Sequence, residues 1–138
     1  MTRSKVSLAV LIALLLLTAC VSPGLTLQYQ IGGCQGEDTS RSRADNRVEI
    51  TVQDGAVHLS QDVSYVCCAS ITLKVEREDN LIKVVETNEG EICRCMCGYQ
   101  ITAKVGGLPS GTYRVQVWGI QYQDVHPLEL LGEATVNL

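Results

Sequence analysis

Six cysteines of this chain lie in three short stretches and could act as one chemical group. They are a single Cys34, the adjacent Cys67 and Cys68, and the alternating Cys93, Cys95 and Cys97. Such a set can form disulfides, or its thiolates can bind a soft metal such as Zn or Cu(I). The paired Cys-x2-Cys spacing that is typical of structural zinc sites is absent from the sequence. The choice between the two chemistries depends on the elements that position the sulfurs.

The alternating cysteines run into a stretch with the period of a β-strand. Cys93, Cys95 and Cys97 have the same parity as the apolar Tyr99 and Ile101 that follow. We therefore predict that all three point inward from one strand. Residues two apart on a strand are separated by about 6.6 Å with parallel side chains, whereas a disulfide needs Cβ atoms within about 4.5 Å. The three are not expected to pair with one another.

Each of these three cysteines is predicted to pair with Cys34, Cys67 or Cys68. A bridge between the adjacent Cys67 and Cys68 would be strained, so these two also need partners elsewhere. Six cysteines allow 15 pairings, and this restriction leaves about six of them. An exported chain with an even number of cysteines favours three such bridges. The alternative is a metal site, although one strand rarely offers three ligands at tetrahedral angles.

The N-terminal segment has the pattern of an export signal. Arg3 and Lys5 precede an apolar run over residues 6–17, which is shorter than the roughly 20 residues of a membrane-spanning helix. The run ends in Leu-Thr-Ala-Cys, whose last residue is Cys20. This motif resembles the lipobox of bacterial lipoproteins. The resemblance implies a signal peptide over residues 1–19, cleavage before Cys20 and attachment of lipid to Cys20.

The lipobox resemblance also implies a location. Several acyl chains anchor a protein stably, since each buried methylene contributes about 0.8 kcal/mol. We predict an extracytoplasmic protein held by lipid on the cell membrane or the outer membrane. Val21, in place of Asp, implies the outer membrane where the cell has two membranes. Residues 20–24 would be the lipidated N-terminus and tether, and residues 25–138 one cysteine-rich domain.

Composition limits the partners and the chemistry. The chain has a net charge of −4, and loss of the basic signal segment makes it more negative, so nucleic acid is not expected as a partner. His58 and His126 are the two histidines, and neither has a carboxylate at a spacing that indicates a catalytic pair. We predict a binding or structural module with no enzymatic activity and no cofactor, whose ligand is a protein or a small molecule. The alternative is an envelope protein that binds Zn or Cu(I) through the six cysteines.

Apolar residues alternate at period two through the mature chain, and no stretch shows a convincing helical period. About eight short strands separated by turns predict an all-β fold, an antiparallel immunoglobulin-like β-sandwich of 7–8 strands. The sequence GLPSGTYRVQV at residues 107–117 resembles a corner of immunoglobulin-like and transthyretin-like sandwiches. In that corner Leu108 would fill the core and Tyr113 would begin an inward-facing strand. The resemblance is generic and implies fold alone.

Overall fold

Eight β-strands make up most of the two ranges that the computed structural model describes, residues 24–34 and 47–138. They are β1 (Thr26–Ile31), β2 (Glu49–Gln53), β3 (Ala56–Val66), β4 (Ile71–Glu78), β5 (Leu81–Asn88), β6 (Met96–Gly106), β7 (Thr112–Gln121) and β8 (Leu130–Asn137). No helix in these ranges is long and apolar enough to cross a membrane. The predicted signal peptide and Cys20 lie outside the described residues.

The strands form two four-stranded sheets that share a core. The first sheet has the order β1-β6-β3-β2, and the second has the order β4-β5-β7-β8. Alternate side chains of both sheets turn inward, as the period-two pattern requires. Among the most completely buried residues are Val57, Ile82, Val84, Val105 and Val115. The all-β prediction and the predicted number of strands are confirmed.

One pair of strands departs from the predicted antiparallel arrangement. β5 and β7 run parallel, with Ile82 beside Val115 and Val84 beside Val117. After β5 the chain crosses to the first sheet, runs along β6 and returns, so β7 enters the second sheet in the direction of β5. Alternation within single strands does not reveal such a crossing. The fully antiparallel sheets of an immunoglobulin domain are therefore not confirmed.

The corner before β7 follows its sequence prediction. Leu108 and Tyr113 are both buried, with 9% and 3% of their surface exposed. The Tyr113 hydroxyl donates a hydrogen bond to the Pro109 carbonyl oxygen at 2.9 Å. The guanidinium of Arg77 lies 5.3 Å from the centroid of the Tyr113 ring, within the distance at which a cation is attracted to a π face. These contacts fix the direction in which β7 enters its sheet.

The strand ends that carry the cysteines meet at one end of the first sheet. β3 ends at Val66 opposite Met96, the first residue of β6. β1 also finishes toward this end, with Ile31 opposite Ile101. The chain enters the domain at the opposite end, because Thr26 pairs with Gly106.

Candidate functional site

Three cysteine pairs lie at disulfide distance at this end of the first sheet. They are Cys34–Cys97, Cys67–Cys95 and Cys68–Cys93, with Cα–Cα distances of 5.1, 5.5 and 5.9 Å. All three distances fall within the usual window of about 4.4–6.8 Å. Each pair joins one alternating cysteine to the other group, as predicted. Because all six sulfurs are paired, the metal-site alternative is not favoured.

The prediction that the alternating cysteines all point inward was wrong for Cys95. β6 begins at Met96, so Cys93 and Cys95 precede the strand and do not follow its pleat. Cys97 is buried in the core with 3% of its surface exposed, whereas Cys95 is exposed. Outside the extended geometry of a strand, the Sγ atoms of Cys93 and Cys95 approach to 3.5 Å. The predicted pairing is therefore confirmed, but the spacing argument behind it does not apply to Cys93 and Cys95.

The three bridges form one row of neighbouring sulfurs, which we call the sulfur ladder. Its Sγ atoms fall into two trios, each within 4.8 Å, namely Cys34 with Cys67 and Cys97, and Cys68 with Cys93 and Cys95. The Cys67–Cys95 bridge has one sulfur in each trio and so connects the other two bridges. Cys68 and Cys95 are exposed while Cys97 is buried. Cys34 is exposed as well, so each bridge has one exposed cysteine. At the Cys68–Cys93 end, which we call the accessible end, neither cysteine is buried.

A buried asparagine holds the two loops that meet at the accessible end of the ladder. Asn88, the last residue of β5, is 4% exposed. Its Oδ1 accepts hydrogen bonds from the backbone N–H groups of Ser70 at 2.9 Å and Gly90 at 2.8 Å, and its Nδ2 donates to the Glu91 carbonyl at 3.2 Å. A Cβ atom at Gly90 would lie 2.6 Å from the Cys68 carbonyl oxygen, so glycine is needed for this close approach. Sequence reasoning did not select Asn88, although its inward parity in an apolar strand was a readable signal.

Replacing Asn88 with Ala should lower the free energy of unfolding by about 2–3 kcal/mol, because two backbone N–H groups lose their acceptor in a poorly solvated site. Urea denaturation of the oxidised protein measures this change. Asn80→Ala is the matched control, since Asn80 is exposed in the β4–β5 turn, and its effect should stay within about 0.5 kcal/mol. A loss of equal size in both variants would contradict the role assigned to Asn88.

Tyr65 and His126 form a second polar contact near this end. The Tyr65 hydroxyl lies 2.7 Å from His126 Nδ1, and the two rings meet edge to face with centroids 5.5 Å apart. Burial raises the pKa of Tyr65 above its ordinary value, so the phenol keeps its proton and is able to donate to the imidazole. Tyr122 and His126 also pair through their backbones. The contact holds the loop at residues 122–126 against β3, and sequence reasoning missed it because the partners are 61 residues apart.

A buried carboxyl connects the two sheets. Glu86 in β5 is 1% exposed and Gln61 in β3 is 5% exposed. Gln61 Nε2 donates to both carboxyl oxygens of Glu86, at 2.7 and 2.8 Å. Burial raises the pKa of Glu86 to about 7, although the hydrogen bond from Gln61 acts in the opposite direction. The sequence signal for this pair was an acidic residue at the parity of Ile82 and Val84.

The outer face of the first sheet is concave and polar. A solvent-open cavity of about 620 Å³ lies over β1, β6, β3 and β2. Its lining includes one positive and one negative residue, Lys104 and Glu49, together with hydrogen-bonding side chains such as Gln28 and Ser60. His58 also lines it, and the shielded Nε2 atom of His58 has no hydrogen-bond partner among the residues described. The balanced charge and the mixture of donors and acceptors suit an uncharged polar ligand.

The structure brings the six predicted cysteines together, while Cys20 lies outside the described residues. The two histidines have different surroundings, since His58 lines the cavity and His126 contacts Tyr65. Comparison of the chain with protein-family models, with curated proteins and with solved structures finds no match. The functional argument is therefore built on the sulfur ladder, the cavity and the N-terminal motif.

Proposed function

We propose that this chain is a lipid-anchored binding or structural module of a bacterial cell envelope, stabilised by three disulfides. The observation that carries the proposal is the sulfur ladder, in which every described cysteine is paired. Disulfides persist in exported proteins and are rare in the cytosol, which supports the export expected from the lipobox-like motif at Cys20. The likeness to immunoglobulin-like modules is proposed only for the general plan of two packed sheets with loops at both ends.

Attachment of lipid at Cys20 would hold the end of the domain at which β1 begins. Thr26, the first residue of β1, lies at the end of the first sheet opposite to the ladder. Six residues of extended chain span at most about 20 Å, so the domain would stay close to the membrane. In this arrangement the sulfur ladder points away from the bilayer, and the polar cavity lies on a side of the domain that neighbouring envelope molecules can reach.

The ligand proposed for the cavity is an uncharged molecule rich in hydroxyl groups, such as a neutral oligosaccharide. Its volume of about 620 Å³ lies within the range of about 300–1,000 Å³ that is usual for ligand pockets. Lys104 and Glu49 offset one another, so the lining has no excess charge to attract a phosphate or a cation. The carboxamide of Gln28 and the hydroxyl of Ser60 can each donate and accept hydrogen bonds, which is what a ligand with many hydroxyls requires.

Lipid anchoring is tested with the full chain expressed in a diderm bacterium that is fed an alkyne analogue of palmitate. We expect the wild-type protein to incorporate the label and to enter the detergent phase on Triton X-114 partitioning. Cys20→Ala should stay unlabelled and remain in the aqueous phase, because Cys20 is the proposed acylation site. A wild-type protein that carries no label would contradict the anchoring, and equal labelling of both proteins would contradict the assignment to Cys20.

Binding in the cavity is tested by titrating a soluble Cys20→Ala protein with neutral oligosaccharides while recording amide NMR shifts. Ser60→Trp should fill the cavity and abolish the shifts around Lys104. Thr135→Trp is the matched control, because Thr135 is an exposed strand residue of the second sheet. If the oligosaccharides shift no residue of the cavity, or if both variants behave alike, the proposed ligand class is wrong.

A further inference from the structure

We propose that the sulfur ladder is a site of thiol–disulfide exchange. It would accept two electrons from an external dithiol and rearrange into a Cys93–Cys95 bridge with free thiols at Cys67 and Cys68. The substrate class is dithiols in one direction and disulfides in the other. This activity goes beyond a purely stabilising role for the three bridges, and it does not depend on lipid anchoring or on the ligand of the cavity.

The contact that carries this inference joins two sulfurs that are not bonded to each other. Cys93 Sγ and Cys95 Sγ are 3.5 Å apart although they belong to different bridges. Exchange requires a thiolate to reach a sulfur of a neighbouring disulfide, and access to that sulfur governs its rate. A Cys93 thiolate would meet this requirement without a rearrangement of the backbone.

The accessible end of the ladder determines where an external thiol enters. Cys68 is exposed and its partner Cys93 is half-buried. Cys34 and Cys95 are exposed too. Attack of an external thiolate at Cys68 Sγ, however, is the step that forms a mixed disulfide with Cys68 and releases the Cys93 thiolate 3.5 Å from Cys95 Sγ. The buried Cys97, at the other end, is the least accessible sulfur of the ladder.

The released thiolate then acts inside the protein. Cys93 Sγ attacks Cys95 Sγ, the Cys93–Cys95 bond forms, and Cys67 leaves as a thiolate that takes up a proton. The second thiol of the dithiol attacks its own sulfur in the mixed disulfide and releases Cys68. In total, the dithiol is oxidised to a cyclic disulfide, and the protein exchanges two bridges for one bridge and two thiols. A partner disulfide that oxidises Cys67 and Cys68 would reverse these steps.

The Cys34–Cys97 bridge should take no part in the first exchange. Cys34 is exposed and Cys67 Sγ lies within 4.8 Å of both sulfurs of this bridge. An attack at Cys34, however, would release Cys97 as a thiolate inside the apolar core, where burial disfavours the charged form. The bridge would keep the end of β1 tied to β6 while the two outer bridges rearrange. This division of roles allows the domain to stay folded in its two-electron-reduced form.

The test uses the wild-type protein with one equivalent of dithiothreitol, followed by acid quenching, alkylation and peptide mapping. Trypsin cleaves after Arg94, which lies between Cys93 and Cys95, so a bridge between these two would hold the two flanking peptides together. We expect most molecules with two alkyl groups to carry them on Cys67 and Cys68 and to contain this linked pair of peptides. The Cys34–Cys97 bridge should remain intact in the same molecules.

Two other results would overturn the proposal. Alkyl groups on Cys68 and Cys93 with an intact Cys67–Cys95 bridge would mean simple reduction, and labelling of Cys34 and Cys97 would mean that reduction begins at the other end. The variant Cys67→Ala/Cys95→Ala supplies the reference pattern for simple reduction, because its Cys93 thiolate has no neighbouring bridge to attack. The decisive measurement is made on the wild-type protein and so does not depend on whether this variant folds.

Discussion

The free energy of unfolding should fall by about 3 kcal/mol between pH 4.5 and pH 8 because of one carboxyl, that of Glu86. Burial raises the pKa of Glu86 in the folded protein to about 7, from 4.5 for an ordinary glutamate. Each unit of difference between the folded and unfolded pKa corresponds to about 1.4 kcal/mol. The ion pairs of the described residues, Lys83–Glu78 and Arg114–Glu133, involve other carboxylates.

The direction of the effect follows from where the proton is held. Between pH 4.5 and about pH 7 the folded protein keeps a proton on Glu86 that the unfolded chain has released, so stability falls as the pH rises. Below this range both states are protonated and the protein has its full stability, whereas above it both are ionised and the whole penalty applies. A protonated carboxyl also gains an O–H donor. Gln61 Oε1 has no hydrogen-bond partner among the described residues, and a rotation of the Gln61 carboxamide would bring it to that donor.

Glu86→Gln isolates this effect because it gives a neutral side chain of the same shape at every pH. The shape of the side chain matters because Glu86 is closely packed. The backbone of Gly119 passes so near that a Cβ atom placed on Gly119 would lie 2.6 Å from the Glu86 Cβ. Chemical denaturation over a pH series measures the free energy of unfolding of both proteins. As the pH rises, the stability of the variant relative to the wild type should increase, by up to about 3 kcal/mol at pH 8. Gln61→Met should move the wild-type transition to higher pH, because the bond from Gln61 lowers the pKa of Glu86. Parallel pH curves for the wild type and Glu86→Gln would contradict the assignment.

The parts of the fold that the sequence predicts well are those set by local geometry. Alternation identified strands such as β4 and β5, and Leu108 and Tyr113 are buried where the corner motif placed them. The pairing between the two cysteine groups was also predicted, although the pleat spacing behind that prediction applies to Cys97 and not to Cys93 and Cys95, which precede β6. Each of these inferences uses neighbours within a few residues, where chain geometry leaves little freedom.

The parts that were missed depend on contacts across the two sheets. The parallel pairing of β5 with β7 results from the path of β6 through the other sheet. Gln61 and Glu86, 25 residues apart, meet only because β3 and β5 face each other across the core, and Tyr65 contacts His126 across 61 residues of sequence. A polar residue at an inward parity, such as Glu86 or Asn88, shows that a partner is needed but does not identify that partner.

Removing the Cys34–Cys97 bridge should lower the free energy of unfolding by about 4 kcal/mol. This is roughly twice the effect of removing either of the other bridges alone. The reason is the size of the ring that each bridge closes, since in the chain-entropy account larger rings restrict the unfolded chain more. Cys34 and Cys97 are 63 residues apart, and with Cys67–Cys95 intact their bridge still closes a path of about 35 residues. Guanidinium denaturation of the oxidised Cys34→Ala/Cys97→Ala variant measures this cost.

The two shorter bridges should be partly redundant. Cys67 adjoins Cys68, and Cys93 lies two residues from Cys95, so each bridge spans nearly the same segment, with separations of 28 and 25 residues. While one of them is present the other closes only a small ring, and its removal should cost about 2 kcal/mol. Removing both bridges frees the whole segment between the two cysteine stretches in the unfolded chain. The double variant should therefore lose more free energy of unfolding than the sum of the two single losses, by about 1 kcal/mol or more. Strictly additive losses in the free energy of unfolding would contradict the entropic account of the two bridges. The ladder would then have to stabilise the fold through native contacts at the end of the first sheet.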